Sequence, residues 1–303
     1  MSANEKKILI TGANGFVGRN LVKFLNEKKI ANIQCMRDLT KKTDIIYKNI
    51  SPDTDWSDIL PNVSTVVHAA CISHSYKVKD EDVYNINYFA TKNLIDQCIT
   101  FGVQSFIFIS SIKVCGETTS FGEKFNKESS YKVPDCYAES KRLVELYLRE
   151  EIAETNTNFM IIRSPLIFGP GVKGNFGFIE KLINCKIPIP VGNLKHNLRA
   201  IVLTDTLNEI IMFKIKNPNW MAQEVICPVD GHFSTRELIE MVARANKISP
   251  FIYSIPDWFL KLLLVFTGRR YLIPKILGNL EIQDIDELHE MINKSKCLGT
   301  MGI

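Results

Sequence analysis

Tyr137 and Lys141 stand four residues apart in Tyr-Ala-Glu-Ser-Lys, a spacing that puts both side chains on one face of a helix. A phenol ordinarily titrates near pKa ~10 and is a poor acid or base at neutral pH. A fixed ammonium beside it is expected to lower that pKa towards the working range and make it a proton donor and acceptor. Ser110-Ser111 closes an apolar run upstream, and a hydroxyl there can bond a substrate oxygen and share in the proton transfer. The chemistry that suits such a group is interconversion of a carbonyl and an alcohol.

A second constellation is Thr11-Gly12-Ala13-Asn14-Gly15-Phe16-Val17-Gly18, directly after the apolar run Ile8-Leu9-Ile10. Glycines three residues apart allow a tight turn and let a pyrophosphate approach a helix N-terminus, where free N–H groups and the helix dipole attract it. A dinucleotide cofactor is therefore expected, and the positive ring of an oxidised nicotinamide would further acidify the phenol. The end of the second strand chooses the cofactor. Arg37 stands there and favours the 2′-phosphate of NADP(H), while Asp38 keeps NAD(H) open.

The elements that must hold these groups follow from hydrophobic patterning. Ile8–Ile10, Ile33–Met36, Val63–His68, Phe106–Ile109 and Met160–Ile162 are apolar at nearly every position and read as buried strands. Helical spacing intervenes at Val17–Leu25, Val83–Phe101 and Ala138–Ile152. Fully apolar strands alternating with helices predict an α/β fold, a doubly wound parallel sheet of Rossmann type. After about residue 165 glycines and prolines punctuate loops, followed by a helix over Leu203–Lys216 and a strand at Val225–Cys227. The expected division is a dinucleotide-binding domain over 1–168, with 199–228 returning to it. A smaller C-terminal substrate domain takes 169–198 and 229–303.

Composition narrows the functional class. The chain has 303 residues and a formal charge of +4 from 37 basic and 33 acidic residues. That excess is too small and scattered to argue for nucleic acid or an anionic membrane, though it suits an anionic small molecule. The eight cysteines include no C-x-x-C pair, which points away from a metal site or a disulfide framework and towards a reducing, cytoplasmic setting without a signal peptide. Trp258–Phe266 is the longest apolar stretch and far shorter than the ~20 residues that span a bilayer. It is expected to be a core or lid helix, with contact to a membrane surface or a partner chain as the alternative.

Taken together, TGANGFVG (11–18), VVHAA (66–70), NINYFATKNL (85–94), FISSIKVCGE (108–117), YAESK (137–141), RSPLIFGPG (163–171) and LRAIVLTD (198–205) closely resemble the extended short-chain dehydrogenase/reductases. Within them the match is to the nucleotide-sugar epimerase/dehydratase/reductase group. The resemblance implies that Ser111, Tyr137 and Lys141 are catalytic. It implies that Gly12, Gly15 and Gly18 hold the pyrophosphate, with Asn14, Phe16 and Val17 of the same turn. His68, Ala69 and Ala70 would line the cofactor, and Asn87, Ser110 and Pro165 would complete its surroundings. Lys113, Asn175 and Arg199 would meet a nucleotide-sugar substrate, Arg199 at the diphosphate.

Dehydratases of the group place Asp-Glu after the catalytic hydroxyl, whereas this chain has Ile112-Lys113, so elimination is not expected. SSIKVCGE and GPGVKGNF look most like bacterial reductases of 4-keto-6-deoxy nucleotide sugars that serve surface polysaccharide synthesis. The expected function is accordingly NADP(H)-dependent 4-keto reduction of a UDP- or dTDP-linked sugar. The alternatives are a nucleotide-sugar 4-epimerase and a non-catalytic cofactor sensor. The resemblance also implies a homodimer formed through Val83–Phe101 and the Tyr137 helix. After Ile282 the chain departs from the leucine-glycine-tryptophan-proline stretch usual in relatives.

Overall fold

The computed structural model describes residues 6–36, 45–47, 49–73, 78–151, 155–172, 175–219 and 223–283. Its strands are β1 (Lys7–Thr11), β2 (Asn32–Met36), β3 (Ile45–Tyr47), β4 (Val63–His68), β5 (Ser105–Ser111), β6 (Asn158–Ser164), β7 (Leu166–Phe168), β8 (Arg199–Leu203), β9 (Gln223–Ile226) and β10 (Gly231–Phe233). Its helices are α1 (Phe16–Glu27), α2 (Asp80–Tyr84), α3 (Ala90–Thr100), α4 (Cys136–Glu151), α5 (Asn175–Asn184), α6 (Thr204–Lys216), α7 (Thr235–Ala245), α8 (Asp257–Phe266) and α9 (Ile273–Leu277).

Seven strands form one sheet in the order β3-β2-β1-β4-β5-β6-β9, every pair parallel. Side chains alternate across each strand, and both faces of this sheet are covered. Leu9, Val66, Phe106, Phe108 and Ile161 pack with Leu94 and Ile95 of α3 and Val144 and Leu148 of α4. On the other face Ile10, Val67, Ile107, Met160 and Ile162 pack with Leu21 and Leu25 of α1 and Leu207, Ile210 and Ile211 of α6. Covered faces are why the central positions of these strands are mostly apolar.

The chain order reverses at β1, where β2 lies to one side and β4 to the other. The crevice beyond the strand ends at that switch point is where ligands of open α/β sheets bind.

The smaller unit has its own core, in which Ile183, Ile189, Leu238, Val242, Leu260 and Leu264 come together. A three-stranded sheet, β10-β8-β7, joins it to the large sheet. Of the segment 199–228, α6 packs on the large sheet and β9 extends it, while β8 pairs with β7 and β10. Three-residue strands such as β3, β7 and β10 are too short to carry a readable period. Residues 279–282 stitch the units together. Asn279 O accepts from Thr119 N at 2.8 Å, and Leu280 bonds both to Leu198 O and from Ala200 N.

The expected helix over Val83–Phe101 exists as α2 and α3 joined by a π-helical turn at Asn85–Phe89. The apolar stretch ending at Phe266 forms α8, but only Leu260 and Leu264 of it are buried. It is therefore not a core helix. No helix among the described residues is long and apolar enough to cross a membrane.

Candidate active site

The glycine turn links β1 to α1. Gly12 has φ +68°, and a Cβ there would lie 2.7 Å from the backbone of Ala70. A Cβ on Gly18 would lie 2.3 Å from Gly12 O, so this glycine lets α1 sit down on the turn. Gly15 is the N-cap of α1 and supplies no side-chain cap, leaving first-turn N–H groups for an anion. Gly12, Asn14 and Gly15 border a cavity of about 120 Å³ with Cys35, Met36, Ala69 and Ala70. This cradle at the switch point fits the pyrophosphate of a dinucleotide. Val17 instead packs its side chain into the core beneath, Phe16 is half-buried, and Arg37 lies outside the described residues.

Two expected cofactor contacts have other work. The His68 imidazole is buried; its Nδ1 pairs with Thr11 Oγ1 at 2.8 Å and its Nε2 with Thr91 Oγ1 at 3.0 Å. Burial, and then the charge of Lys141, press its pKa down to about 3. The neutral ring ties β1 and β4 to α3 and has no nitrogen left for a ligand. Asn87, at the π-turn, accepts from Ile72 N at 2.7 Å and donates to Ile72 O and Ser140 Oγ. It clamps the loop after β4 against α4.

The catalytic candidates come together at the carboxyl end of β5. Alternation along that strand sends Ser110 inward, where its hydroxyl donates to Glu145 Oε1 at 2.5 Å. Ser110 is thus a structural partner of α4. Ser111 faces the other way, lines the large cavity and caps a 3₁₀ turn by accepting from Lys113 N at 3.3 Å. Tyr137 projects from the first turn of α4 into the same cavity and bonds Ser111. Lys141, one turn on, is buried, donates to Ile109 O at 2.8 Å and lies 4.5 Å above the Phe108 ring.

The expected acidification of Tyr137 is not what the protein alone produces. Burial, then Cys71 and Asp135, push its pKa well above the usual phenol range, and the Ser111 hydroxyl only partly opposes them. Lys141 Nζ is 6.0 Å from the phenol ring centroid and engaged by a carbonyl. Its own pKa is lowered by burial, with Cys71 and Glu145 opposing.

Under α4 lies an ion pair that the sequence reading missed. Arg163 Nη2 meets Glu145 Oε2 at 2.8 Å with both side chains buried, and Ser110 and Tyr131 donate to the same carboxylate. Glu145 follows Lys141 by four residues, so this network holds the catalytic face of α4 on β5 and β6.

The large cavity is about 620 Å³, within the range of small-molecule sites. Tyr137, Ser111 and Pro165 line it, and Arg199, Arg269 and Lys275 add positive charge. Arg199 is 6% exposed; its Nη1 donates to Pro274 O at 3.0 Å, and its Nε has no partner among the described residues. Burial lowers its pKa to about 10, with Glu117 opposing. A buried guanidinium whose only charge relief among the described residues is one carboxylate, at the edge of a cavity, suits an incoming phosphate.

Lys113 also lines the cavity, but it pairs with Asp135 and, at 3.5 Å, with Glu117. Two carboxylates thus hold its ammonium at the cavity wall. Asn175 begins α5, and its side chain lies outside the described residues. Glu117, Lys275 and Tyr271 were not singled out by sequence. Glu117 ends a recognisable motif, whereas the other two reach the cavity through the fold of the smaller unit. No cluster of three or more His, Cys, Asp or Glu that could hold a metal occurs among the described residues.

Comparison with known proteins agrees with this geometry. The model of the NAD dependent epimerase/dehydratase family matches residues 8–203. A UDP-glucose 4-epimerase of Vibrio cholerae is 34% identical over 296 residues, covering 95% of this chain and 90% of the relative. Among solved structures, MoeE5 in complex with UDP-glucuronic acid and NAD has TM-score 0.74 at 17% identity, covering 95% of this chain and 92% of the other. The Thermus thermophilus UDP-glucose 4-epimerase complex with NAD has TM-score 0.73 at 19% identity, covering 94% and 92%. The glycine cradle, the Ser-Tyr-Lys cluster and a full-length relative converge: this chain is an enzyme of the NAD-dependent epimerase/dehydratase family, in the nucleotide-sugar group of the extended short-chain dehydrogenase/reductases.

Proposed function

We propose that the protein is a 4-epimerase of a UDP-linked hexose that uses NAD. The observation that carries this reading is the cavity with Tyr137 and Ser111 in its wall and the under-paired Arg199 lining it as well. The 34% identical relative named a UDP-glucose 4-epimerase supports the reaction. The expectation of NADP(H)-dependent reduction rested on SSIKVCGE and GPGVKGNF, with Arg37 in agreement. Arg37, Lys173 and Gly174 lie outside the described residues, and the family model and structural neighbours are described with NAD. NAD is therefore the proposed cofactor.

When bound, the nicotinamide supplies a reversible hydride acceptor for sugar C4. The chain's own residues do the rest. Gly12, Gly15 and the N-terminus of α1 would hold the pyrophosphate, with Asn14, Ala69 and Ala70 lining the same cavity. Tyr137 takes the proton of the C4 hydroxyl and returns it, and Ser111 bonds the same oxygen so that the developing charge is shared. Lys141 keeps its Nζ 6.0 Å from the phenol ring centroid and would offer it to the ribose of a bound cofactor. Arg199, with Arg269 and Lys275, grips the diphosphate. A sugar anchored through that remote group can turn its ring while remaining bound, which is what returning the hydride to the opposite face demands. A cytoplasmic setting, where nucleotide sugars are made, goes with this reading.

The test is interconversion of UDP-glucose with UDP-galactose, and of their N-acetyl counterparts, by purified protein with NAD and no added reductant. Interconversion without net change at the nicotinamide absorbance is expected. Stoichiometric NADPH oxidation by a 4-keto-6-deoxy nucleotide sugar, with no interconversion, would overturn the epimerase reading and restore the reductase.

A further inference from the structure

We propose that α8 docks the protein on an anionic lipid bilayer surface. The helix reads Asp-Trp-Phe-Leu-Lys-Leu-Leu-Leu-Val-Phe and is pinned to the molecule by Leu260 and Leu264. Those two lie one turn apart on a single row. Helical spacing sets Trp258, Leu262, Val265 and Phe266 on the opposite side, and Phe259 and Leu263 between. All six are exposed, Trp258 at 67% and Phe266 at 81%. An uninterrupted apolar and aromatic surface of this kind marks an interaction site, not ordinary surface scatter.

Charge selects the occupant. Lys261 sits on the flank of the exposed face and Arg270 follows its C-terminal end, beside Arg269 and Lys275 of the cavity wall. Asp257 is the one carboxylate in that stretch, 257–275. Lys261, Arg269 and Arg270 have no ion-pair partner among the described residues. Apolar and aromatic side chains flanked by Lys and Arg form the signature of a helix lying in a lipid interface. A second copy meeting the same face across a twofold axis would bring these cations together, which opposes self-association there. Anionic head groups would neutralise them. Arg269, Tyr271, Leu272 and Lys275 also line the large cavity, so docking sets its mouth beside the bilayer.

Sedimentation of the full-length protein with vesicles tests the idea. Binding to phosphatidylglycerol–phosphatidylethanolamine vesicles is expected, with little binding to pure phosphatidylcholine and a loss at high salt. The Trp258→Ser/Phe266→Ser variant, altered only at exposed positions, should bind at least roughly tenfold more weakly, as should Lys261→Glu/Arg270→Glu. Trp258→Phe should still bind but lose the vesicle-induced blue shift in fluorescence. Wild-type protein left in solution with anionic vesicles, or a serine variant that sediments like wild type, would overturn the proposal. So would a solution mass that halves in the serine variant, which would give the face to a second copy. Interconversion measured without vesicles reports on the catalytic reading separately.

Discussion

Tyr137 carries a conflict that its surroundings leave unresolved. Its hydroxyl sits where a sugar oxygen can reach it, yet burial and nearby Cys71 and Asp135 favour the neutral phenol. A residue that must accept a proton then needs added positive charge, and a bound oxidised nicotinamide provides it. Tyr137→Phe should lower kcat for sugar interconversion by roughly 10²–10⁴-fold while NAD still binds; turnover at the wild-type rate would remove the residue from the mechanism. Arg199 calls for a different readout. Its fork is buried and only partly engaged, and lysine keeps the charge but not the fork. Arg199→Lys should raise KM for the UDP-sugar roughly tenfold and change kcat by less than about twofold. An equal fall in kcat would make it a transition-state residue.

Elements decide how well these groups are held. β5 delivers Ser111 to the cavity and Ser110 to the Glu145–Arg163 pair, so one strand serves both the chemistry and the seat of α4. At the switch point the His68 clamp joins β1, β4 and α3 through a ring that stays neutral down to about pH 3. The unfolded chain takes up that proton near 6.5. The stability it confers is therefore complete above 6.5 and lost as pH falls towards the folded value. Between about pH 7 and 5 this single group should remove about 2 kcal/mol of unfolding free energy. Urea unfolding across that range should show the loss in wild type and its reduction in His68→Gln.

At the scale of the whole molecule, the glycine cradle lies at the switch point of the large sheet, residues of both the sheet and the smaller unit line the large cavity, and residues 279–282 tie one to the other. Among the described residues two exposed helical faces are candidates for assembly, and they differ in kind. The α2–α3 and α4 face combines Phe89, exposed at 47%, with the Lys92–Asp96–Tyr147 cluster. We expect this mixed face to form the homodimer. Light scattering should give twice the chain's 34.5 kDa, and Phe89→Glu should return it to a single chain. A monomeric wild type would leave the helices unpartnered. The α8 face, apolar and cationic, suits a lipid surface better than a second copy.

Local pattern determined a great deal of this. Apolar strands alternating with helices specify a covered parallel sheet because side-chain period reports burial directly, and a glycine turn after the first strand specifies where a pyrophosphate can approach. The spacing of Tyr137 and Lys141 likewise placed them on one helical face. What pattern could not supply was the direction of each side chain and the company it keeps. Ser110 and Ser111 are adjacent and chemically identical, yet one faces a buried carboxylate and the other the cavity, a choice made by the pleat and by Glu145 thirty-five residues away. His68 became a clamp and Tyr137 a weaker acid than its neighbour promised, because desolvation depends on everything packed around a group and not on its sequence neighbours. α8 reads as a core or lid helix by composition, and packing buries only its Leu260 and Leu264.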